Sequence, residues 1–173
     1  MQPERVIRKG RVEPDLWTFV GLSDEPVAEA LPRGPIVVPL AAWRARREEL
    51  LARREPVGVW LQPEDDPAAL AADLGAIALV AVRFPKFTDG RGYSTAALLR
   101  TRLAYRGELR AFGDVGRDQL FYLARCGFDA FALPPHRDPE AALAGLGTFS
   151  VRYQGSVDDP RPLFRRREPR AAA

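Results

Sequence analysis

The longest apolar run of the chain, AIALVAVRF at residues 76–84, is the feature that most narrows the folds open to it. The run does not alternate between apolar and polar residues, so both of its sides must be buried. Strands of this kind belong to parallel sheets, which are covered on both faces and need crossover connections between strands. The first prediction is therefore a parallel sheet with this run at its centre.

Four shorter runs of strand character accompany the long one, and segments with helical spacing separate them. The clearest helix is predicted at residues 94–105, where Ala96, Leu99 and Leu103 share one stripe and Gly107 follows. The alternation of strand and helix predicts right-handed βαβ units and hence an α/β fold with about five parallel strands. The predicted strands lie near residues 36–40, 57–61, 76–84, 108–113 and 129–133.

Two architectures fit this alternation. One is an open sheet covered by helices on both faces. The other is a partial (β/α) barrel with helices on one face only, which needs a partner to cover the rest. The strand at residues 108–113 puts Glu108 and Arg110 on one side, which belongs at an edge or in a polar barrel interior. The open sheet is the favoured prediction.

A chain of 173 residues is long enough for one domain with a hydrophobic core. Residues 1–35 are interrupted by prolines and predict a loose arm with room for one hairpin, residues 36–157 a single α/β domain, and residues 158–173 a disordered basic tail. Residues 161–173 carry a charge of +4 against a formal +3 for the chain, so the rest is close to neutral. Without a basic face or long basic tract, no nucleic-acid partner is expected.

The chain is expected to be cytoplasmic, without a membrane partner. No apolar run approaches the roughly 20 residues that span a bilayer, and no apolar segment follows the first residues as a secretory signal would. The single cysteine, Cys126, excludes an internal disulfide and a thiol cluster. His136 is the only histidine, which excludes a metal site of several imidazoles, and no metal is predicted.

The stretch FPKFTDGRGYS at residues 84–94 follows the central strand and is the best candidate for a binding loop. Ligands of parallel α/β proteins bind beyond the carboxyl ends of the strands. Gly90 and Gly92 free the backbone for positive φ, and the amides that open the next helix face the loop beside two cations. The loop is therefore predicted to bind an anion. The predicted anion-binding residues are Lys86, Asp89, Gly90, Arg91, Gly92, Tyr93, Ser94 and Arg117.

The same stretch also fits a tight strand-to-helix turn in which Ser94 is the N-cap and Asp89 bonds its own loop. Its glycine spacing matches neither a complete dinucleotide fingerprint nor a phosphate loop. Asp114 is the candidate catalytic residue, as a base or a polar ligand, although its position is also typical of a helix N-cap. His136 is interpreted as an exposed loop residue rather than a general base.

From about Trp43 to Gln154 the sequence resembles the bacterial family catalogued as domain of unknown function 934. The resemblance rests on the segments FPKFTDGRGYS, LLRTR, GELRAFGDVGRDQL and RCGFDAF, with GVWL before them and the pair Tyr153-Gln154 after them. The positions that match the family pattern are Lys86, Asp89, Arg91, Tyr93, Ser94, Arg110, Asp114, Asp118 and Gln119.

Members of this family are described as candidate oxidoreductases, and their genes accompany those of assimilatory sulfite or nitrite reductase and of the reductase for activated sulfate. The resemblance thus implies a role in sulfur assimilation, with no established activity and no catalytic residues to carry over. The residues themselves contain no haem-attachment cysteine pair, cysteine cluster or complete dinucleotide motif. The cofactor is therefore left unknown.

Two hypotheses follow, and whether the chain is an enzyme stays open. The leading hypothesis is an accessory protein of sulfite reduction whose carboxyl-end face binds a small anion or a partner, such as sulfite reductase or another sulfur-assimilation enzyme. The alternative is an enzyme acting on a small phosphorylated or sulfated compound, with Lys86 and Arg91 holding the anion and Asp114 near the reacting centre. A catalytic face should show a walled pocket, whereas an accessory protein should show an apolar patch with a polar rim.

Overall fold

The computed structural model describes residues 5–22, 27–150 and 152–165. Over these residues the chain is a mixed α/β protein in which eight strands form one sheet. The spatial order of the strands is β2-β1-β8-β7-β6-β5-β4-β3. The strands are β1 (Arg5–Arg8), β2 (Arg11–Pro14), β3 (Thr18–Phe19), β4 (Ile36–Pro39), β5 (Val57–Leu61), β6 (Leu79–Phe84), β7 (Glu108–Gly113) and β8 (Ala130–Ala132).

The five predicted strands are β4 to β8, and each pairs in parallel with its neighbour in chain order, as predicted. Strand β6, the apolar run, is buried between β5 and β7. The predicted number of strands is wrong, because the N-terminal region adds three: β3 pairs in parallel with β4, and the antiparallel hairpin β1–β2 pairs with β8. These added strands have two to four residues, too few for a hydrophobic pattern to stand out among the prolines.

The helices follow the predicted alternation with different bounds. The α-helices are α1 (Leu40–Ala45), α2 (Arg47–Leu51), α3 (Arg91–Thr101), α4 (Leu120–Arg125) and α5 (Pro139–Leu143), and 3-10 turns lie at Pro67–Leu70, Arg117–Gln119, Ala144–Gly147 and Leu163–Arg165. Helices α1 and α2 are separated at Arg46, whose φ of −121° is not helical. The 3-10 turn at Pro67–Leu70 is capped by Asp66, whose side chain accepts from the Ala68 amide.

All five α-helices pack on one face of the sheet. Trp43 of α1, Leu99 of α3 and Leu123 of α4 join one core with the side chains of β4 to β8 that point the same way, such as Val59 and Val82. The prediction that helices cover both faces of the sheet is therefore wrong. The sheet is an open, strongly curled half-barrel. The physical reason is that strands β4 to β8 lie in chain order, so right-handed crossovers put every helix on the same side.

The inner face of the half-barrel has a second hydrophobic core, and other residues of the same chain cover it. Phe112 of β7 packs on Phe19 and Trp60, with ring centroids 4.9 and 6.1 Å apart. Strands β2 and β3 lie at opposite ends of the sheet order, yet only residues 15–17 join them. Pro14 and Thr18 are four residues apart, and four extended residues span about 14 Å at most, so the curl brings the two edges close together.

The charged side of β7 lies in this interior, which is one of the two locations predicted for it. The side chain of Arg110 has no exposed surface. Its Nη1 donates to both carboxylate oxygens of Asp15, at 2.9 and 2.8 Å. Its Nε and Nη2 donate to Oε1 of Glu108, at 2.8 and 2.7 Å. The link between the two sheet edges is thus fastened to the middle of the sheet through a buried ion pair.

The described end of the chain packs against α4. Arg125 donates to the carbonyl oxygen of Gln154, and its own carbonyl oxygen accepts from Ser156 Oγ at 2.7 Å and from the Val157 amide at 3.1 Å. Of the predicted tail, residues 158–165 are described and residues 166–173 lie outside the described residues, so its disorder stays a prediction. A search of the described helices finds none long and apolar enough to cross a membrane.

Candidate functional site

The loops that follow β5, β6, β7 and β8 meet at one edge of the sheet, which we call the carboxyl-end face. Arg91 Nη1 donates to Glu64 Oε1 at 2.9 Å and so joins the loops after β5 and β6. The Phe87 amide donates to Asp114 Oδ2 at 2.9 Å and joins the loops after β6 and β7. Arg137 lies 3.6 Å from Asp114 and brings in the loop after β8. The structure therefore places the candidate residues of four loops on one connected surface.

Arg91 is held by two carboxylates. Besides its bond to Glu64, its Nε and Nη2 donate to the two oxygens of Asp89 at 3.0 and 2.7 Å. Its backbone amide also donates to Asp89 Oδ1. The bonds from Arg91 lower the pKa of Asp89 below its usual range, and the same bonds raise the pKa of Arg91. An incoming anion would have to displace these carboxylates to bind this guanidinium.

Neither glycine of the loop has a positive φ, so the predicted reason for them is wrong, and only Gly92 is required by packing. Gly90 has a φ of −86° and occupies the N-cap position of α3. Gly92 lies inside the first turn, where a Cβ atom would come within 2.5 Å of the Phe84 ring. Ser94 is exposed and is not the N-cap, because α3 begins at Arg91. In this region positive φ is found at Gly113, where it is +101°.

The buried side-chain amide of Gln119 supports the binding loop through hydrogen bonds. Its Oε1 accepts from the Gly116 amide at 2.8 Å. Its Nε2 donates to the Phe87 carbonyl oxygen at 3.2 Å and to the Tyr93 hydroxyl at 3.3 Å. Burial raises the pKa of Tyr93, whose ring lies 5.5 Å from that of Phe84. The loop is therefore held in one conformation by side chains beneath it.

The remaining candidates differ in what they contact. Lys86 is exposed, and its carbonyl oxygen accepts from the Asp89 amide at 3.0 Å, but its ammonium group forms neither a hydrogen bond nor an ion pair within the described part of the chain. Asp114 does not cap a helix as the alternative expected, since Gly116 is the N-cap residue, and its carboxylate braces the Phe87 amide instead. His136 is exposed. No three His, Cys, Asp or Glu side chains in the described residues cluster as metal ligands would.

Beside the carboxyl-end face lies an open groove of about 710 Å³, which we call the aromatic groove. Tyr122 and Phe149 are 55% and 59% exposed, and the rings of Phe121 and Phe149 lie 5.0 Å apart. Tyr122 also contacts Tyr93, which connects the groove to the binding loop. The groove is lined by Arg117, Asp118, Phe121, Tyr122, Gly145, Thr148 and Phe149.

Of the groove residues, the sequence predicts only Arg117 as part of a site. A signal for two others is present in the pattern of α4, since Phe121 and Tyr122 lie off the stripe of Leu120 and Leu123 that enters the core. Two neighbouring aromatics outside the apolar stripe indicate an exposed aromatic surface. Phe149 comes from a different segment, and nothing in its local sequence connects it with α4.

A comparison with protein families agrees with the resemblance read from the sequence. The family model described as "Bacterial protein of unknown function (DUF934)" matches residues 58–164. Neither a curated protein nor a solved structure matches the chain. The matched segment contains β5 to β8, the carboxyl-end face and the aromatic groove.

Proposed function

Since the chain belongs to the family of bacterial proteins of unknown function (DUF934), we propose a function from its own geometry and from the resemblance described above. The protein is an accessory protein of assimilatory sulfite reduction that docks on a reductase of that pathway. The docking surface is the aromatic groove together with the adjoining carboxyl-end face. The resemblance supports the sulfite context, and the geometry supports docking.

The observation that carries the docking proposal is the exposed aromatic cluster. Tyr122 and Phe149 expose more than half of their surface next to the more buried Phe121. Phe87, in the loop that follows β6 on the carboxyl-end face, is 47% exposed. Exposed aromatic side chains that share one surface and have charged residues at the rim are typical of protein interfaces. This is the pattern expected of an accessory protein.

The contacts of the loop weigh against the alternative, an enzyme for a small phosphorylated or sulfated compound. That reaction needs Arg91 to bind the substrate anion, but Asp89 and Glu64 compete for its guanidinium, so an anion binds there only weakly and by displacing them. It also needs Asp114 to face a substrate, but this carboxylate accepts the Phe87 amide. The polar groups of both side chains hold the loops together instead of facing a substrate.

The proposal is tested by growth of a deletion strain on different sulfur sources. The strain should grow on sulfide and fail on sulfate and sulfite, because only the step that reduces sulfite is affected. Re-expression of the Phe149→Asp variant should not restore growth on sulfite, since a carboxylate in the groove opposes apolar contact. Phe164→Asp is the matched control, as Phe164 is 60% exposed and lies outside the groove.

Each arm of this experiment can contradict one part of the proposal. Normal growth of the deletion strain on sulfite would remove the assignment to sulfite reduction. Restoration of growth by Phe149→Asp to the level of Phe164→Asp would remove the groove as the docking surface. Immunoblots of both variants establish that they accumulate equally.

A further inference from the structure

We infer that the half-barrel binds a small oxyanion at its mouth, the opening at the carboxyl ends of β5, β6 and β7, through the guanidinium of Arg83. The ligand is a free anion of the size of sulfate or phosphate. The site is separate from the aromatic groove and from the cations of the binding loop. This inference goes beyond the proposed docking function and does not depend on it.

Arg83 is the next-to-last residue of β6, and its side chain belongs to the inner face of the half-barrel. Leu79 and Ala81 of the same strand lie in the inner core, and Val80 between them lies in the core under the helices. Successive side chains of a strand alternate between the two faces, so Arg83 continues the inner row. It is partly buried and ends that row at the mouth. Parallel α/β barrels bind their ligands at this end of the strands.

The guanidinium of Arg83 is positioned on an aromatic ring. Its central carbon lies 6.0 Å from the centre of the Trp60 ring. Trp60 is itself fixed, because its Nε1 donates to the Val20 carbonyl oxygen at 3.0 Å and its ring lies 6.1 Å from that of Phe112. Contact with an aromatic ring uses none of the five N–H donors of a guanidinium. The group is therefore held in place with its donors available to an anion.

Two other arginines whose side chains enter the half-barrel are neutralised, whereas Arg83 is not. Arg110 binds Asp15 and Glu108, and Arg8 Nε lies 2.9 Å from Glu108 Oε2. Among the residues that the structure describes, Arg83 has the ring of Trp60 as its side-chain partner and no hydrogen bond or ion pair. Withdrawing a charge from water without a partner costs free energy. A bound anion would supply the partner that carboxylates supply to the other two.

Gln62 lies next to Arg83 and carries the second donor of the site. The register pairs Leu61 with Val82, so Gln62, which follows β5, comes beside Arg83. Gln62 is partly buried, and its side-chain amide has no hydrogen bond with any described residue. Its backbone is fixed, since its amide donates to Asp65 Oδ2 at 2.7 Å. A guanidinium next to a side-chain amide is a pair of donors suited to an oxyanion.

The test is an NMR titration of the full chain, labelled with the NMR-active nitrogen isotope. Sodium sulfate and sodium phosphate are compared with sodium chloride at equal ionic strength. Trp60 reports on the site because Arg83 lies over its ring, whereas the Trp43 indole binds Asp73 in the core under the helices. Sulfate or phosphate should shift the Trp60 indole N–H signal until it saturates and leave the Trp43 signal unchanged. The loss of one indole signal in Trp60→Phe assigns the reporter.

Variants locate the bound anion. Arg83→Gln should weaken binding about tenfold or more, because hydrogen bonds from a charged group are lost. Arg83→Lys keeps the charge without the planar fork and should bind between the parent and Arg83→Gln. Arg102→Gln removes the same charge from an exposed position at the end of α3 and should leave affinity unchanged. Lys86→Met combined with Arg91→Gln, which removes the loop cations, should retain the Trp60 response. The dispersion of the amide signals verifies that each variant is folded.

A Trp60 signal that behaves like that of Trp43, or that shifts equally in the parent and Arg83→Gln, would overturn the inference. A shift that rises linearly without saturation would overturn it as well, because it would be a general effect of salt. A response that the loop variant loses and Arg83→Gln keeps would place the anion at the binding loop instead. The titration contains no reductase, so its failure leaves the docking proposal standing, and failure of the growth test leaves this site standing.

Discussion

Two arginines, Arg110 inside the half-barrel and Arg91 on the carboxyl-end face, each bind two carboxylates. Arg110 binds Asp15 and Glu108, and its side chain is 0% exposed. Arg91 binds Asp89 and Glu64, and its side chain is 53% exposed. The bond lengths are similar, so the two clusters differ mainly in their access to water. Burial, rather than geometry, must therefore decide how much each cluster matters to the fold.

Access to water makes one cluster structural and leaves the other available for exchange. Removing a partner from a buried pair leaves an uncompensated charge in a medium that solvates it poorly. Removing a partner from an exposed pair leaves a charge that water solvates well. Arg110 therefore stays bound to its carboxylates as long as the protein is folded. Arg91, in contrast, can exchange a carboxylate for water or for another anion with little loss of stability.

The largest effect is expected from Asp15→Ala, which leaves Arg110 buried with one carboxylate instead of two. The free energy of unfolding should fall by about 3 to 5 kcal/mol, as for other broken buried ion pairs. Urea unfolding at neutral pH measures it. The double variant Asp15→Leu with Arg110→Met should recover most of the loss, because it removes both charges together. A loss below about 1 kcal/mol for Asp15→Ala would contradict the comparison by making the buried pair behave as an exposed one.

An intermediate loss of stability is expected when the pair of Arg47 and Asp73 is broken. The exposure of this pair lies between that of the Arg110 cluster and that of the Arg91 cluster. Asp73 is buried at 8% exposure and accepts from Trp43 Nε1 at 3.0 Å, while Arg47 is 49% exposed. Asp73→Ala should lower the free energy of unfolding by about 1 to 3 kcal/mol, since the indole N–H loses its buried acceptor. Asp73→Asn, which keeps an acceptor oxygen, should lower it less.

The same pair predicts a pH dependence with a definite sign. Hydrogen bonds from Arg47 and then from Trp43 lower the pKa of Asp73 in the folded state. A carboxyl group with a lowered folded pKa adds stability above its unfolded pKa of about 3.9, and this stability is lost as the pH falls through the folded pKa. The difference between parent and Asp73→Ala should therefore be full at pH 7 and shrink below about pH 4. Urea midpoints across this range measure it, and a difference that stays constant to pH 2 would exclude the ion pair as its source.

The smallest stability change is expected from Asp89→Ala on the carboxyl-end face. The pKa of Asp89 is lowered by Arg91, but the Arg91 side chain is 53% exposed, so water reaches the pair and screens it. The urea midpoint should shift far less than for Asp15→Ala in the same titration. A loss as large as that of Asp15→Ala would show that the loop is a structural element of the fold.

The parallel strands could be predicted because their apolar runs are continuous, as for residues 79–84 in β6. The single-face arrangement of the helices could not, since strand order is a property of the whole chain. The charged side of β7 did indicate a polar interior, but its partner Asp15 lies 95 positions away and no local pattern connects the two. Tertiary pairing of this kind is set by the curl of the sheet.

In the candidate site, as in the fold, local sequence identifies unusual residues but does not show which partners they contact. The sequence identifies Asp89, Arg91 and Tyr93 as unusual, and all three lie in the loop beyond β6. It does not reveal that the two charges bind each other, because side-chain rotamers decide between a partner in the chain and a ligand. The aromatic groove depends on Phe149, which is brought to α4 by a C-terminal segment that Arg125 anchors.

Sulfate tests whether an anion can replace the carboxylates that bind Arg91. At matched ionic strength, sulfate should raise the melting temperature slightly above that in chloride, because a bound anion stabilises the fold by mass action. Glu64→Gln removes one competing carboxylate from Arg91 and should enlarge the difference. Lys86→Met combined with Arg91→Gln should reduce it to the part that does not depend on binding at the loop. Sulfate also stabilises proteins by exclusion from their surface, an effect that the double variant retains. Equal sulfate shifts in the parent, Glu64→Gln and the double variant would mean that the loop is a turn held by Asp89, and that anion exchange at Arg91 does not occur.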